Sequence, residues 1–317
     1  MSETMKAMSQ DRAGGPEVLT LVDHERPEAG PTEILVRVEA AGINPTDWKT
    51  RGRGYFYHDE KPPFTLGFDV SGIVEAVGPG VTIFAPGDKV IGMPRFPRPA
   101  GAYAEFVTGP ARHFTARPES LDAVHGAALP LAGLTAWQAL VDTAALASGQ
   151  RVLVHAAAGG VGHLAVQIAK ARGAYVIGTA SAAKHDILRG LGADELVDYR
   201  TQDFADVVSD VDVVLDTLGG DVTGRSLSTL REGGILVSII PPPGFDSSLM
   251  PSRDGVRVTW MLVEPDRTGL AELTALVDEK KLQVVVDSTF PLASAADAHR
   301  QGETGRTTGK LVLTIPG

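Results

Sequence analysis

Arg151–Ser181, reading RVLVHAAAGGVGHLAVQIAKARGAYVIGTAS, decides how the rest of the chain is read. It opens on Val152–Leu153–Val154, a short β-branched run with the length of a buried strand. A turn of small residues follows, Ala156–Ala157–Ala158–Gly159–Gly160–Val161–Gly162, and then a mostly apolar stretch through Leu164, Val166, Ile168 and Ala169 that ends near Gly173. Tyr175–Val176–Ile177 closes a strand–helix–strand unit of about thirty residues. Without side chains at Gly159 and Gly160, a pyrophosphate can approach the backbone, and the N–H groups and dipole of the helix start favour its charge. Gly162 lets the helix pack close to its strand. Set against G-x-G-x-x-G, Ala157 replaces the first glycine, while Gly159 and Gly162 keep the other two places. The pattern reads as a dinucleotide site; the other reading is a structural glycine turn.

The end of the second strand selects the cofactor. An NAD site places Asp or Glu about twenty residues on, to hold the ribose 2′-hydroxyl. Here the chain reads Ala180–Ser181–Ala182–Ala183–Lys184. A carboxylate would repel a 2′-phosphate, whereas Ser181 can donate to it and Lys184 adds positive charge, so NADPH is favoured over NADH. A solvated charge at a helix start is the alternative for Lys184.

Bulk composition narrows the classes. The 317 residues, 43% hydrophobic, suffice for two domains. A net charge of -10 argues against nucleic acid or an anionic membrane as the main partner. The most apolar region, Leu121–Ala147, is interrupted by Asp122, His125, Pro130 and Asp142 and does not read as a membrane span. Met1–Ser2–Glu3–Thr4–Met5–Lys6 carries no signal-peptide pattern, and a cytoplasmic location is the default expectation. With no cysteine, disulfides, thiolate catalysis and Cys-ligated zinc are excluded.

The first third reads as short strands, Glu33–Ala40, Val70–Val77 and Ala102–Val107, punctuated by Gly78–Pro79–Gly80 and Ala85–Pro86–Gly87–Asp88, which suits a small barrel. From about Ser120 the texture becomes Ala- and Leu-rich helix and then alternating strand and helix. Further strands are expected at Glu195–Tyr199, Val211–Asp216, Gly234–Ile239 and Val256–Val263, an amphipathic helix over Thr268–Lys281, and a last strand at Lys310–Thr314.

Six stretches together resemble the zinc-independent quinone-reductase branch of the medium-chain dehydrogenase/reductase superfamily. They are Ala41–Gly42–Ile43–Asn44–Pro45–Thr46–Asp47, Leu66–Gly67–Phe68–Asp69–Val70–Ser71–Gly72–Ile73–Val74, Gly87–Asp88–Lys89–Val90, Leu134–Thr135–Ala136–Trp137, His155–Gly162 and Thr308–Gly309–Lys310–Leu311–Val312. The resemblance covers nearly the whole chain. It implies an α/β protein: a GroES-like β-barrel catalytic domain, split in sequence, plus a Rossmann doubly wound parallel sheet, with the active site in the cleft between them. Boundaries are expected at 1–123 and 265–317 for the barrel and 124–264 for the nucleotide domain. Zinc-dependent relatives place metal ligands where this chain has Asn44, Phe68 and Leu131, so no metal is expected. His155, at a strand end, reads as a packing or hydrogen-bonding residue rather than a base.

What remains is hydride transfer, in which the protein orients a cofactor, excludes water and presents an acceptor. Quinones and enones suit this, because the charge that develops spreads onto a carbonyl oxygen needing only a hydrogen-bond donor. By resemblance, Asn44 and Thr135 flank the nicotinamide, Gly160 and Val161 hold the pyrophosphate beside Gly159 and Gly162, and Ser181, Lys184 and Tyr199 meet the phosphoadenosine end. Leu218 is placed by the adenine-side ribose, and Ile239 and Ile240 by the nicotinamide ribose. Asn44, Thr46 and Tyr55 are the catalytic candidates, with loop architecture the other reading of Thr46 and Asp47. Trp48, Tyr55, Phe56, Tyr57 and Phe96 are candidates for a flat substrate wall, with plain packing the alternative. An NADPH-dependent reductase of quinones or other α,β-unsaturated carbonyls is the leading expectation. An enoyl-thioester reductase of fatty-acid or polyketide type, and a non-catalytic NADPH-binding protein, are the alternatives. Val256–Val263, read as a long edge strand, makes a homodimer the expected assembly.

Overall fold

The computed structural model describes residues 3–54, 56–57 and 61–316, and the chain divides into two compact units. The first comprises residues 1–134, 264–278 and 284–317, the second residues 135–263 and 279–283.

In the first unit the strands are β1 (Thr4–Gln10), β2 (Thr20–Glu25), β3 (Glu33–Ile43), β4 (Phe64–Thr65), β5 (Asp69–Val77), β6 (Lys89–Gly92), β7 (Phe106–Pro110) and β8 (Phe114–Ala116). The second unit supplies β9 (Arg151–Val154), β10 (Tyr175–Ala180), β11 (Glu195–Asp198), β12 (Val211–Asp216), β13 (Leu230–Ser238) and β14 (Arg257–Trp260). The chain then returns to the first unit for β15 (Val286–Pro291) and β16 (Lys310–Thr314).

Long β3 organises the first unit. It pairs antiparallel with β5, β7 and β16 along different stretches. Two register shifts, between Leu35 and Val36 and between Val38 and Ala40, mark irregularities of the kind that bend a strand and raise its twist. The resulting seven-stranded sheet runs β15-β16-β3-β5-β6-β8 with β7 on β3, beside a three-stranded β2-β1-β4 sheet, and forms a GroES-like barrel. Ile34, Leu35, Val36, Val38, Val70, Val90 and Ile91 are buried, and the consecutive burial in β3 and β6 means that both faces of these strands are covered there.

The second unit is a six-stranded parallel sheet in the order β11-β10-β9-β12-β13-β14. Counted within the unit this is 3-2-1-4-5-6, the doubly wound order, with its switch point between β9 and β12. Leu153, Ile177, Val214 and Leu236 are in register across it and, with Val197, pack with Phe204, Leu227 and Leu230. Each such side chain contributes roughly 1.5–3 kcal/mol by burial. The outermost β14 is shorter than the sequence suggested. Four residues, Arg257–Trp260, are strand where Val256–Val263 was expected, because the ladder to β13 runs only from Ile235–Arg257 to Ser238–Trp260. Gln283 returns to this unit through Gln167, whose Nε2 donates to its carbonyl at 2.9 Å and whose Oε1 accepts its N–H at 2.7 Å.

Candidate functional site

In the second unit the glycine turn sits where β9 gives way to the helix Gly162–Ala171. Ala156 takes a left-handed φ of 46°. Its N–H donates to Thr179 Oγ1 at 3.1 Å, and the N–H of Ala157 donates to the Thr179 carbonyl at 2.9 Å. The turn is thereby tied to β10. Gly159 closes it by donating to the Ala156 carbonyl at 2.8 Å. A Cβ on Gly162 would lie 2.4 Å from the Ala156 oxygen and 2.7 Å from Ala157 Cα, which only a glycine avoids. Gly159, Gly160 and Val161 stay partly exposed at the N-terminus of a ten-residue helix. A Cβ on Gly159 would meet only the Ala156 oxygen, at 3.2 Å. Backbone approach, unsatisfied helix-start N–H groups and a favourable dipole are what a pyrophosphate needs, so these residues fit a dinucleotide.

His155 lies behind the turn, buried and edge-on to Phe204 with ring centroids 4.6 Å apart. Ser226 Oγ donates to the Val222 carbonyl at 2.6 Å and is 2.8 Å from His155 Nε2. With the hydroxyl proton so committed, Nε2–H is the donor, and Nδ1 accepts from Thr179 Oγ1 at 3.3 Å. Burial lowers the imidazole to about 4, with Arg225 adding to the shift against the opposing pull of Asp216. His155 is therefore neutral at pH 7 and serves structure.

Asp216, which the sequence reading passed over, shapes the loop after β12. Its Oδ1 accepts the N–H groups of Leu218 and Gly219, both at 2.9 Å, and its Oδ2 accepts Thr223 Oγ1 at 2.6 Å and Ser238 Oγ at 3.2 Å. The only sequence signal for it was an acidic residue ending an apolar strand.

The second-unit candidates that follow strands gather at one edge of the sheet. Gly159–Gly162 follow β9, Ser181 and Lys184 follow β10, Tyr199 follows β11, Leu218 follows β12, and Ile239 and Ile240 follow β13. Carboxyl ends of strands at a switch point are where ligands bind in such sheets. Tyr199 and Leu218 are 58% and 51% exposed, open enough to cover a ligand, whereas Ser181 and Thr135 are buried. Ser181 accepts the N–H of Lys184 at 2.9 Å, which turns the lysine into a short helical turn.

In the first unit Asn44 stands between β3 and the helix Pro45–Arg53, at the helix N-cap. Its N–H donates to Asp47 Oδ2 at 2.7 Å, while the N–H of Asp47 donates to the Asn44 carbonyl at 2.9 Å. Asp47 thus caps this helix. Tyr103 donates to the same Oδ2 at 3.0 Å, and its hydroxyl is 3.2 Å from His299 Nε2. Arg51 can only donate, so His299 Nδ1, 2.9 Å from its NH1, is an acceptor and Nε2 carries the proton. Arg51 ends in a 2.5 Å ion pair with Glu303. Donation therefore runs outward from Arg51, to Glu303 on one side and through His299 and Tyr103 to Asp47 on the other, where the Asn44 N–H also donates. Burial, with weaker repulsion from Asp69, raises Asp47 to about 7. Burial also lowers His299 to about 3, helped by the Arg51 charge. Thr46 Oγ1, Asp47 Oδ1 and Thr50 Oγ1 are buried without a hydrogen-bond partner among the described residues.

The aromatic candidates divide. Tyr57 and Phe96 are buried in a cluster with Phe56, Phe64 and Phe68, in edge-to-face pairs with centroids 5.0–5.8 Å apart. Trp48 is half-buried, its ring 6.1 Å from that of His299. Tyr55 lies outside the described residues. Phe68 and Leu131, two of the three positions where zinc-dependent relatives carry ligands, are buried apolar side chains. Among the described residues no three His, Cys, Asp or Glu side chains are grouped to hold a metal ion. No helix among them is long and apolar enough to cross a membrane.

Two family models match the chain: the alcohol dehydrogenase GroES-like domain over residues 30–119 and zinc-binding dehydrogenase over residues 191–313. A quinone-oxidoreductase homolog, chloroplastic, of Spinacia oleracea is 35% identical over 318 residues, covering 95% of each chain. A 2-haloacrylate reductase of Burkholderia sp is 36% identical over 95% of this chain and 96% of its own. The pikromycin polyketide synthase component PikAII of Streptomyces venezuelae is 36% identical over 302 residues, 90% of this chain but 8% of the synthase. Among solved structures, the quinone oxidoreductase from Coxiella burnetii superposes with a TM-score of 0.92 at 38% identity, over 99% of this chain and all of the other. A mycobacterial protein complexed with NADPH gives 0.85 at 33% identity, over 98% of this chain and 100% of the other.

Proposed function

Because the chain belongs to the quinone-oxidoreductase-like group of the medium-chain dehydrogenase/reductase superfamily, we propose that this oxidoreductase uses NADPH to reduce quinones or other α,β-unsaturated carbonyls without zinc. The observation that carries the reading is the glycine turn at the switch point of the parallel sheet, with Ser181 and Lys184 where an NAD site has a carboxylate. The NADPH complex of the mycobacterial structure is in line with it.

When bound, the dihydronicotinamide supplies a hydride, two electrons and one hydrogen nucleus, to the conjugated acceptor. Gly160 and Val161 hold the pyrophosphate with backbone N–H groups, and Gly159, whose N–H closes the turn on the Ala156 carbonyl, lets it come close to the backbone. Ser181 and Lys184 take the 2′-phosphate, and the Tyr199 ring lies against the adenosine. The Asp216-shaped loop presents Leu218, and Ile239 and Ile240 bound the nicotinamide-side ribose. Asn44 and Thr135 orient the ring. The negative charge that develops on the acceptor oxygen takes a proton, for which Thr46 Oγ1, buried and free of a partner among the described residues, is the candidate donor.

A second reading, a trans-acting enoyl-thioester reductase, is favoured by the match to the polyketide synthase component and by likeness to the CurK enoyl reductase, 28% identical with a TM-score of 0.88. An acceptor panel of benzoquinone, phenanthrenequinone, a simple enone and a crotonyl thioester, each with NADPH and NADH, separates the two. Preference for quinones or the enone with NADPH supports the leading reading. Preferred turnover of the thioester replaces it with the second.

A further inference from the structure

Asn44 is the candidate cofactor residue of the first unit, and its side-chain amide is gripped at both ends by buried charge. Nδ2 donates to Asp69 Oδ2 at 2.8 Å, and Oδ1 accepts from Lys310 Nζ. The same ammonium donates to the Ile43 carbonyl at 2.8 Å and stands 3.6 Å from Asp69 Oδ2. Asp69 Oδ1 accepts the N–H of Leu131 at 2.8 Å. Asn44, Asp69 and Lys310 are 1%, 0% and 3% exposed. The surroundings are close-packed: a Cβ on neighbouring Gly42 would lie 2.3 Å from the Ala127 oxygen and 2.9 Å from Asp69 Cβ.

Two physical points follow. An ammonium only donates and a carboxylate only accepts, so the amide has one permitted orientation. The flipped form would set oxygen against carboxylate and NH2 against ammonium. A buried ion pair is also a weak device for stability, since apolar replacements of similar volume are often neutral or stabilising. Stability alone therefore gives little reason for a lysine and an aspartate here, whereas fixing the amide gives a definite one. An amide offers two donors and two acceptor lone pairs. Asp69 and Lys310 take one of each and leave one of each in a fixed sense.

We propose that Lys310 and Asp69 are positioning residues that lock the Asn44 amide in the single orientation used to bind the nicotinamide end of the cofactor. The inference rests on the proposed function, in which Asn44 serves the cofactor. The test is a double-mutant cycle. Lys310→Met with Asp69→Asn removes both charges, leaves no buried charge unpaired, and permits either orientation of Asn44. NADPH affinity is read by cofactor fluorescence in this variant, in Asn44→Ala, and in the three changes combined.

About a tenfold loss of affinity is expected from the charge-pair replacement, the size of one lost hydrogen bond to the ligand, with less than about twofold further loss in the Asn44→Ala background. The same loss in both backgrounds, or none in the native background, overturns the proposal. Should the paired variant not fold, Lys310→Arg keeps the cation but carries its donors on a rigid, longer fork, and the same coupled loss is expected. Affinity needs no acceptor, so the two readings fail separately. Coupling with no turnover of any acceptor removes the reductase reading and keeps the lock. Normal turnover without coupling removes the lock alone.

Discussion

Replacing Gly162 by alanine puts one methyl group against the backbone of the turn. The new Cβ would lie 2.4 Å from the Ala156 oxygen, 2.7 Å from Ala157 Cα and 2.8 Å from the Ala157 carbonyl carbon. All three are backbone atoms, tied to β10 by the bonds of Ala156 and Ala157 to Thr179, so none can swing aside as a side-chain tip would. Overpacking of this kind costs about 1–3 kcal/mol. The better helix propensity of alanine returns up to about 1 kcal/mol, less at a first helical position. The net loss is about 1–2 kcal/mol, a fall in melting temperature of about 3–8 °C for a unit of this size. The helix start must also lift away from the strand, which spoils the phosphate cradle and should weaken NADPH binding at least about tenfold. Gly159→Ala is the control. Its Cβ meets only the Ala156 oxygen at 3.2 Å, in a partly exposed position, so affinity should fall comparably while the melting temperature moves by less than about 2 °C. Differential scanning fluorimetry and fluorescence titration with NADPH read both quantities. Gly162→Ala with unchanged melting and unchanged affinity would refute the reasoning.

Lys184→Ala should raise the Kd for NADPH about fivefold and that for NADH by less than about twofold; equal losses would remove its role at the 2′-phosphate. Stability should depend on pH through buried groups of both signs. His155 and His299 titrate at about 4 and about 3 in the folded chain, below 6.5, so the stability they allow is complete above that value and is lost as pH falls. Asp47, raised to about 7, has the opposite sign: its contribution is complete in acid and is lost as pH rises through about 7. Asp69, also raised by burial, works in the same sense as Asp47, so the histidine contribution is read by difference: His299→Gln should remove part of the fall in stability between about pH 6 and pH 5, and chemical denaturation showing the same pH slope in that variant would contradict this. The edge strand β14, paired only with β13 among the described residues, leads us to expect a homodimer. Light scattering giving the 33.3 kDa mass of a single chain would exclude it.

Much of the second unit was legible because its signals are local. Short apolar strands alternate with helices, and the glycine turn carries its own reason in the approach of strand to helix at Gly162. The β14 boundary was misread because an apolar run says nothing about where a neighbouring strand stops. The first unit was harder to read. Its buried chain joins Asp47 and Tyr103 to His299, and Asn44 to Lys310, residues up to 266 positions apart that no periodicity links. For Tyr57 and Phe96 the sequence left packing and substrate contact both open for a related reason: the partners they pack against, Phe64 and Phe68, lie on or beside other strands. His155 was read correctly as structural, but its tautomer needed the positions of Ser226 and Thr179.

The most direct test of the central claim is a single-turnover experiment with NADPH carrying deuterium at the transferred position. The chain is mixed with phenanthrenequinone or a simple enone, and loss of reduced-nicotinamide absorbance is followed. The account predicts oxidation of one NADPH per acceptor reduced, a slower phase with the label than without it, and, for the enone, deuterium on the β-carbon of the product. Tight NADPH binding with no oxidation by either acceptor, or oxidation that leaves the label out of the reduced enone, would contradict it.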